Sequence, residues 1–264
     1  MDEVLRGLPA GARVLDLGSA AGSFPAERYP ALVIARADLE RPWHHNPGFV
    51  QCDAALLPFP DACFDAVISN HSLEHFTNLE RSLAEICRVL RHGGALYIAV
   101  PSAATLCDKL YRWLARGGGH VNAFEHPDDV IAAVSRACGL PVAAVRPLHT
   151  SFSFLNRRNF SVRLPRRIWL VGGGYEKALM LASYLFRRID RRFGAGLSMY
   201  GWAFYFGTIG EPVDSRAWSN VCVRCGSAHP SWWLFEHAQI GTCWRLVAYL
   251  CPQCGARNLL TPDE

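Results

Sequence analysis

The stretch Val14 to Phe24, VLDLGSAAGSF, constrains this chain more than any other. Val14, Leu15 and Leu17 are strand formers of the buried type, and the run then enters a turn carrying two glycines. Asp16 sits at the strand's carboxyl end. Gly18 and Gly22 let the backbone come close to a ligand. In open α/β sheets ligands bind outside the carboxyl ends of the strands, so a cofactor is expected at this turn. The dinucleotide fingerprint G-x-G-x-x-G is not met, because Gly18-Ser19-Ala20-Ala21-Gly22 lacks the middle glycine.

The rest of the first half repeats the pattern of strand followed by polar tip. Leu32 to Ala37 reads as a second strand, ending in Asp38 and followed by Leu39-Glu40. An acid about 20 positions past the glycine turn is placed to grip a ribose. A carboxylate accepts two hydroxyl hydrogen bonds, each worth about 1.5–3 kcal/mol. The plainer reading of Asp38 is the cap of a following helix. Phe49 to Ala54 gives a short strand with a third acid, Asp53. Phe64 to Ser69 gives a fourth strand, followed by an exposed polar loop with Asn70, His71, Glu74 and His75. Ile86 to Pro101 reads as a helix end capped by Gly93-Gly94 and then a fifth strand.

As an ordered set, these segments resemble the class I S-adenosylmethionine (SAM)-dependent methyltransferases over roughly Val4 to Leu148. Asp16, Gly18 and Gly22 match that family's D-x-G-x-G-x-G motif, with Ala20 in place of the central glycine. The resemblance implies an α/β fold: a Rossmann-like seven-stranded sheet with an antiparallel last strand. It implies SAM as cofactor, held by Asp16, Gly18, Ser19, Gly22, Asp38, Leu39, Asp53, Ala54 and Asn70. The segment His120 to Phe124, followed by Pro127, resembles the family's H-V-x-x-F element, whose histidine often faces the substrate. A nucleophile of high pKa needs a base within hydrogen-bond reach. His71, nearest the strand tip, is the first candidate base and His120 the second; either could instead pack or cap. The triplet Leu73-Glu74-His75 is read as structural. About 13 residues precede the first strand, where the family places lid helices. Ala103 to Phe124 and a later arginine-rich insertion are the substitutes.

Two C-x-x-C-G knuckles form a separate signal near the end, Cys222 to Gly226 and Cys251 to Gly255, with 25 residues between the cysteine pairs. Four converging thiolates make a closed tetrahedral zinc site, and a β-hairpin or three-stranded ribbon would fill the spacer. Closed coordination implies a structural Zn2+ bound by Cys222, Cys225, Cys251 and Cys254. Such a site contributes about 10–16 kcal/mol in peptides, enough to fold a small module. A redox dithiol pair and chance spacing are the competing readings. Cys243, His229 and His237, in the spacer, are read as bystanders.

Between these parts the chain departs from the family pattern. Val142 to Leu148 and Trp202 to Gly207 read as the sixth and last strands, which the family joins by a short loop; here about 50 residues intervene. Arg157 to Arg192 holds ten Lys/Arg against two acids, a local net charge of +8 in a chain of net +4. Ala178, Ala182, Leu185 and Ile189 recur there at helical spacing. A solvated helix with arginines at its carboxyl end suffices to explain this. Peripheral contact with a membrane surface or lipid substrate, or with a phosphate-rich partner such as RNA, are the functional readings. The domains expected are 1–212, with a basic helical insertion at about 150–198, and a zinc ribbon at 217–260.

With 264 residues and 50% hydrophobic content, one large domain and a small one can each bury a core. No apolar signal region follows Met1-Asp2-Glu3, and no run reaches about 18 apolar residues. The isolated Cys52, Cys63, Cys87, Cys107 and Cys138 are expected to be buried reduced thiols of a cytoplasmic protein, one that could sit peripherally at the inner membrane surface. Asn70-His71-Ser72-Leu73 is not the Pro-Pro signature of base-amino methyltransferases, and no nucleophilic Cys-Pro follows the fourth strand. Methyl transfer to oxygen of a small-molecule or lipid-linked acceptor is therefore the leading reading. An RNA methyltransferase and a non-catalytic scaffold remain as alternatives.

Overall fold

The computed structural model describes residues 1–19, 22–42, 48–114, 119–156 and 176–262. The chain divides into two compact units. The first comprises Met1–Ser102, Gly119–Arg146 and Trp202–Ser215; the second comprises Ala103–Gly118, Pro147–Gly201 and Arg216–Glu264.

After a short helix α1 (Asp2–Arg6), the sheet strands are β1 (Arg13–Leu17), β2 (Val33–Asp38), β3 (Phe49–Gln51), β4 (Phe64–Asn70), β5 (Leu90–Pro101), β6 (Val142–His149) and β7 (Met199–Gly207). Their order is β3-β2-β1-β4-β5-β7-β6. β1 runs parallel to both β2 and β4, and β4 runs parallel to β5. Thr150 N–H donates to Ser198 O and Gly207 N–H to Pro141 O, so β6 and β7 run in opposite directions. This is a seven-stranded sheet with one antiparallel strand, as the resemblance implies.

β4 is buried along nearly its whole length, as are residues 94–101 of β5, because a central parallel strand is covered on both faces. Leu15, Leu17, Val67, Leu96 and Ile98 of the sheet join Leu83 and Ile86 of α2 (Leu79–Val89) in one core. Two residues counted from the same helix period, Val130 and Val134, enter that core from α4 (Pro127–Cys138), the helix that follows α3 (Leu106–Leu114) in the chain.

Two expectations need correction. The Gly93-Gly94 pair does not cap a helix. α2 ends at Val89, and Leu90 already pairs with Phe64; Gly93, at φ +76°, lies inside β5 beside an irregular register. Burying Leu90 in the core outweighs one more helical turn. Nor are all the scattered cysteines reduced: Cys87 on α2 and Cys138 on α4 form a disulfide, their Cα atoms 5.3 Å apart. Spacing along the chain could not reveal that these two helices pack side by side. Cys52, Cys63 and Cys107 are free thiols.

In the second unit, α5 (Glu176–Phe193) carries the described part of the insertion. The carboxy-terminal module contains β8 (Asn220–Val221), β9 (Ala228–His229), α6 (Ser231–His237), β10 (Ile240–Cys243), β11 (Leu246–Leu250) and β12 (Arg257–Leu259). β10, β11 and β12 form an antiparallel three-stranded sheet, so the spacer holds a short helix as well as a hairpin. Met180 of α5 packs with Val223, Ala248 and Leu259, and Glu176 pairs with Arg224 at 2.8 Å. The insertion helix therefore belongs with the cysteine module, whereas the sequence grouped it with the sheet. Its hydrophobic period was legible, but the surface that would receive it was not. Arg157, Arg158, Arg163, Arg166 and Arg167 lie outside the described residues.

Candidate active site

The turn after β1 is held by a few short contacts. Gly18 N–H donates to Ala37 O at 2.8 Å, and Gly22 N–H to Ser19 O at 2.6 Å. Gly18 has φ +68°, and a Cβ there would overlap Ser72 Cβ. Ser72 belongs to the loop after β4; its Oγ donates to Leu17 O at 3.1 Å and lies 2.5 Å from Ser69 Oγ. Glycine is thus required at 18 both by conformation and by the close approach of the second loop.

Asp16 is fully buried, and its Oδ2 accepts the Ser23 N–H at 3.0 Å. Arg36 Nε lies 3.5 Å from the same oxygen. Burial nevertheless raises the Asp16 pKa, although Ser23 and Arg36 oppose it. Asp16 Oδ1 and Ser19 Oγ are buried with no hydrogen-bond partner among the described residues. Buried polar atoms are seldom left so, and this pair is what an absent polar ligand would satisfy.

Strand register brings the other predicted residues to the same edge. Leu17 pairs with Ala37 and Ser69, Asp38 with Gln51, and Asn70 with Ala99. The tips of β1, β2, β3 and β4 are therefore neighbours. Asp38 Oδ1 accepts Glu40 N–H at 3.0 Å, closing a tight turn, and no helix starts at this position. The helix-cap reading of Asp38 is set aside. Leu39 is exposed beside it. Asp53 Oδ1 accepts Ala55 N–H at 2.9 Å, next to the buried Ala54.

The loop after β4 collects the histidines. His71 has φ +56° and donates its N–H to Ala99 O at 2.9 Å. Burial, then the neighbouring His120 and His75, lower its pKa to about 4. Its ring is neutral at pH 7 and can accept a proton, but such a pKa makes it a weak general base. The rings of His75 and His120 meet edge to face, with centroids 4.9 Å apart. The structure thus brings together both candidate bases with His75, which the sequence assigned to structure alone. Arg36 and Ser72 were also missed. A lone arginine in an otherwise apolar strand was the available signal for Arg36; Ser72 gave none.

The cysteine knuckles are near copies of each other. Gly226 N–H donates to Cys222 O and Gly255 N–H to Cys251 O, with φ +75° and +70° at the two glycines. The four Sγ atoms lie within 4.8 Å of one another; Cys222 to Cys254 is 3.5 Å and Cys225 to Cys251 is 3.6 Å. Tetrahedral zinc with Zn–S near 2.3 Å requires sulfurs about 3.8 Å apart, so this donor set fits.

Residues 15–98 match the family described as methyltransferase domain. This part of the chain is similar to a methyltransferase domain. The domain resembles a malonyl-acyl-carrier protein O-methyltransferase of Methylococcus capsulatus, with 38% identity over 130 residues, covering 44% of this chain and 47% of that protein. A protein of the same name from Geobacter sulfurreducens is 32% identical over 146 residues, covering 48% of this chain and 55% of that one. The chain thus spans about half the length of these relatives. A SAM-dependent methyltransferase structure from Archaeoglobus fulgidus superposes with TM-score 0.51 at 16% identity, over 75% of this chain and 86% of that one. At that identity the likeness speaks for the fold of the domain.

Proposed function

We propose that this protein transfers a methyl group from SAM to an oxygen of a small-molecule or lipid-linked acceptor. The observation that carries the reading is the glycine turn locked by Ser72, with Asp16 Oδ1 and Ser19 Oγ buried and awaiting partners at the carboxyl edge of the sheet. Gly18, Ser19 and Gly22 would hold the amino-acid end of SAM, Asp38 its ribose, and Asp53 with Ala54 its adenine. Leu39 and Asn70 border the same edge. When bound, SAM supplies an electrophilic methyl group on a sulfonium.

The chain's own residues have three tasks there. The pinned turn fixes the position of the cofactor, because effective alignment matters more in methyl transfer than acid–base strength. The apolar strands behind it keep water away from the reacting atoms. The neutral imidazole of His71 takes the proton released by an acceptor hydroxyl, with the His120 ring as the second candidate.

Two relatives named as O-methyltransferases support oxygen as the acceptor atom. The lipid-linked option draws on α5, where Leu181, Leu185, Ile189 and Phe193 form an exposed stripe at four-residue intervals, next to the exposed Arg188 and Arg192. Such a face suits the surface of an anionic membrane. The four cysteines would hold a structural Zn2+, which would contribute stability to their module.

Calorimetric titration of the zinc-loaded protein with SAM tests the reading. One equivalent of SAM should bind with measurable heat. Zinc present without any such heat would leave the fold as a scaffold and end the catalytic reading.

A further inference from the structure

A second donor cluster lies in the first unit, apart from the cysteines. We propose that Glu74, His75 and His120 form a binding site for a divalent transition-metal cation. One carboxylate oxygen and one ring nitrogen from each histidine lie within 4.8 Å of one another.

The backbone builds this proximity. Glu74 and His75 share a single 3-10 turn, Leu73–His75, after β4. Val121 and Asn122 both donate their N–H groups to Glu74 O, at 2.8 and 3.0 Å. Asn122 Nδ2 also donates to Leu73 O and Phe76 O, each at 2.8 Å. Four hydrogen bonds therefore bind the segment that carries His120 against the turn that carries the other two donors. Gly119, at φ +75°, makes the bend into that segment, and a Cβ there would lie 3.4 Å from His75 Nδ1.

The chemistry of the donors points to a cation. His75 Nδ1 lies 3.0 Å from Gly119 O. In the tautomer that donates from Nδ1, Nε2 carries the lone pair that a metal takes; metal-ligating histidines are usually oriented in this way. The Glu74 side chain is 2% exposed. A buried carboxylate set beside two imidazole rings is a donor set that first-row transition metals accept. Two nitrogens with one carboxylate select Zn2+, Co2+ or Fe2+ over Mg2+ or Ca2+. His75 is exposed, so the outer side of the site faces water and leaves coordination positions open. The closed four-cysteine site has no such opening. A hydroxyl ligated at the open position would have its pKa lowered by the cation. That use rests on the methyl-transfer reading, but the binding itself does not.

Cobalt distinguishes the two sites. Full-length protein loaded with one zinc is titrated with Co2+ and followed by calorimetry and absorption. The expected result is one further equivalent, with the weak visible bands of nitrogen–oxygen ligation and no thiolate charge transfer. His75→Ala and His120→Ala should each weaken cobalt binding at least tenfold while zinc stays at one per chain. Because His75 is exposed, its variant should keep the wild-type circular dichroism and Tm. Absence of a second equivalent would overturn the proposal, and so would unchanged affinity in both variants. Thiolate bands from the added cobalt would overturn it too, by placing that ion on the cysteines. SAM heat is measured separately, so loss of this site and loss of the methyltransferase reading remain distinguishable.

Discussion

Arg36 stands directly across from Asp16 in the β1–β2 register, with its Nε 3.5 Å from Asp16 Oδ2. Its Nη2 also donates to Phe24 O at 2.8 Å, so one guanidinium ties the motif acid to the far end of the glycine turn. Arg36→Met removes the cation and leaves a buried carboxylate uncompensated, a change that costs about 3–5 kcal/mol at buried pairs. The double variant Asp16→Asn/Arg36→Met removes both charges and should be distinctly more stable than Arg36→Met alone. Urea unfolding of the two variants checks this; equal midpoints would mean that the pair carries no such coupling.

Gly18→Ala meets two obstacles, φ +68° and overlap with Ser72 Cβ. The conformational part alone costs about 1–2 kcal/mol. SAM affinity should fall more than tenfold. Ser72→Gly in the same chain removes the overlap but not the conformational strain, so it should recover part of the loss. A double-mutant cycle on SAM affinity measures the coupling, and simple additivity of the two changes would show that the contact is not what limits the turn.

Asp38→Ala should weaken SAM binding by roughly 10- to 100-fold, from the loss of about 1.5–3 kcal/mol of charged hydrogen bonding. Its carboxylate also accepts Glu40 N–H, so the turn after β2 should loosen. Asp38→Asn keeps an acceptor for Glu40 and loses the charge. It should therefore retain the thermal stability of the wild type while showing weakened binding. Unchanged SAM affinity in Asp38→Ala would put the ribose elsewhere.

Much of this site could be read from the chain because its physics is local. A strand tip, a glycine needing positive φ and an acid at the next strand tip each declare themselves within a few residues. Asp16, Gly18 and Asp38 could be singled out for that reason. What was not legible depends on contacts made across long stretches of sequence. Ser72 closes on Gly18, Cys87 reaches Cys138, and the Asn122 amide binds the turn of Glu74 and His75. Nothing in the spacing of those residues encodes the approach. The helical period of α5 was visible in the same way, yet its packing on Val223 and Leu259 was not.

Cys251→Ser removes one of four converging thiolates. Zinc content, measured by atomic emission, should fall from one per chain to near zero. The second unit should unfold at a lower temperature, because Met180 and Glu176 of α5 pack on a module that the metal would hold together. SAM affinity should change less than threefold, since Asp16, Gly18 and Asp38 all belong to the first unit. Equal loss of zinc and SAM binding would show that the two units fold as one.

His149 gives the second unit a sensitivity to acid. Burial, and then the nearby Arg187, lower its pKa to about 4 from an ordinary 6.5, with Asp190 opposing. Arg187 is itself buried, its Nη2 3.4 Å from both Thr150 O and Val221 O, so the positive neighbour cannot move away. A histidine whose folded pKa lies below its unfolded value favours the folded state above the unfolded pKa. That contribution fades as the pH drops from about 6.5 towards 4, and at full size it is about 3 kcal/mol. Denaturant midpoints between pH 7.5 and pH 4.5 should therefore fall more steeply in the wild type than in His149→Gln, which has no proton to take up. Parallel slopes would mean that the imidazole charges freely within the fold, and that Arg187 does not crowd it.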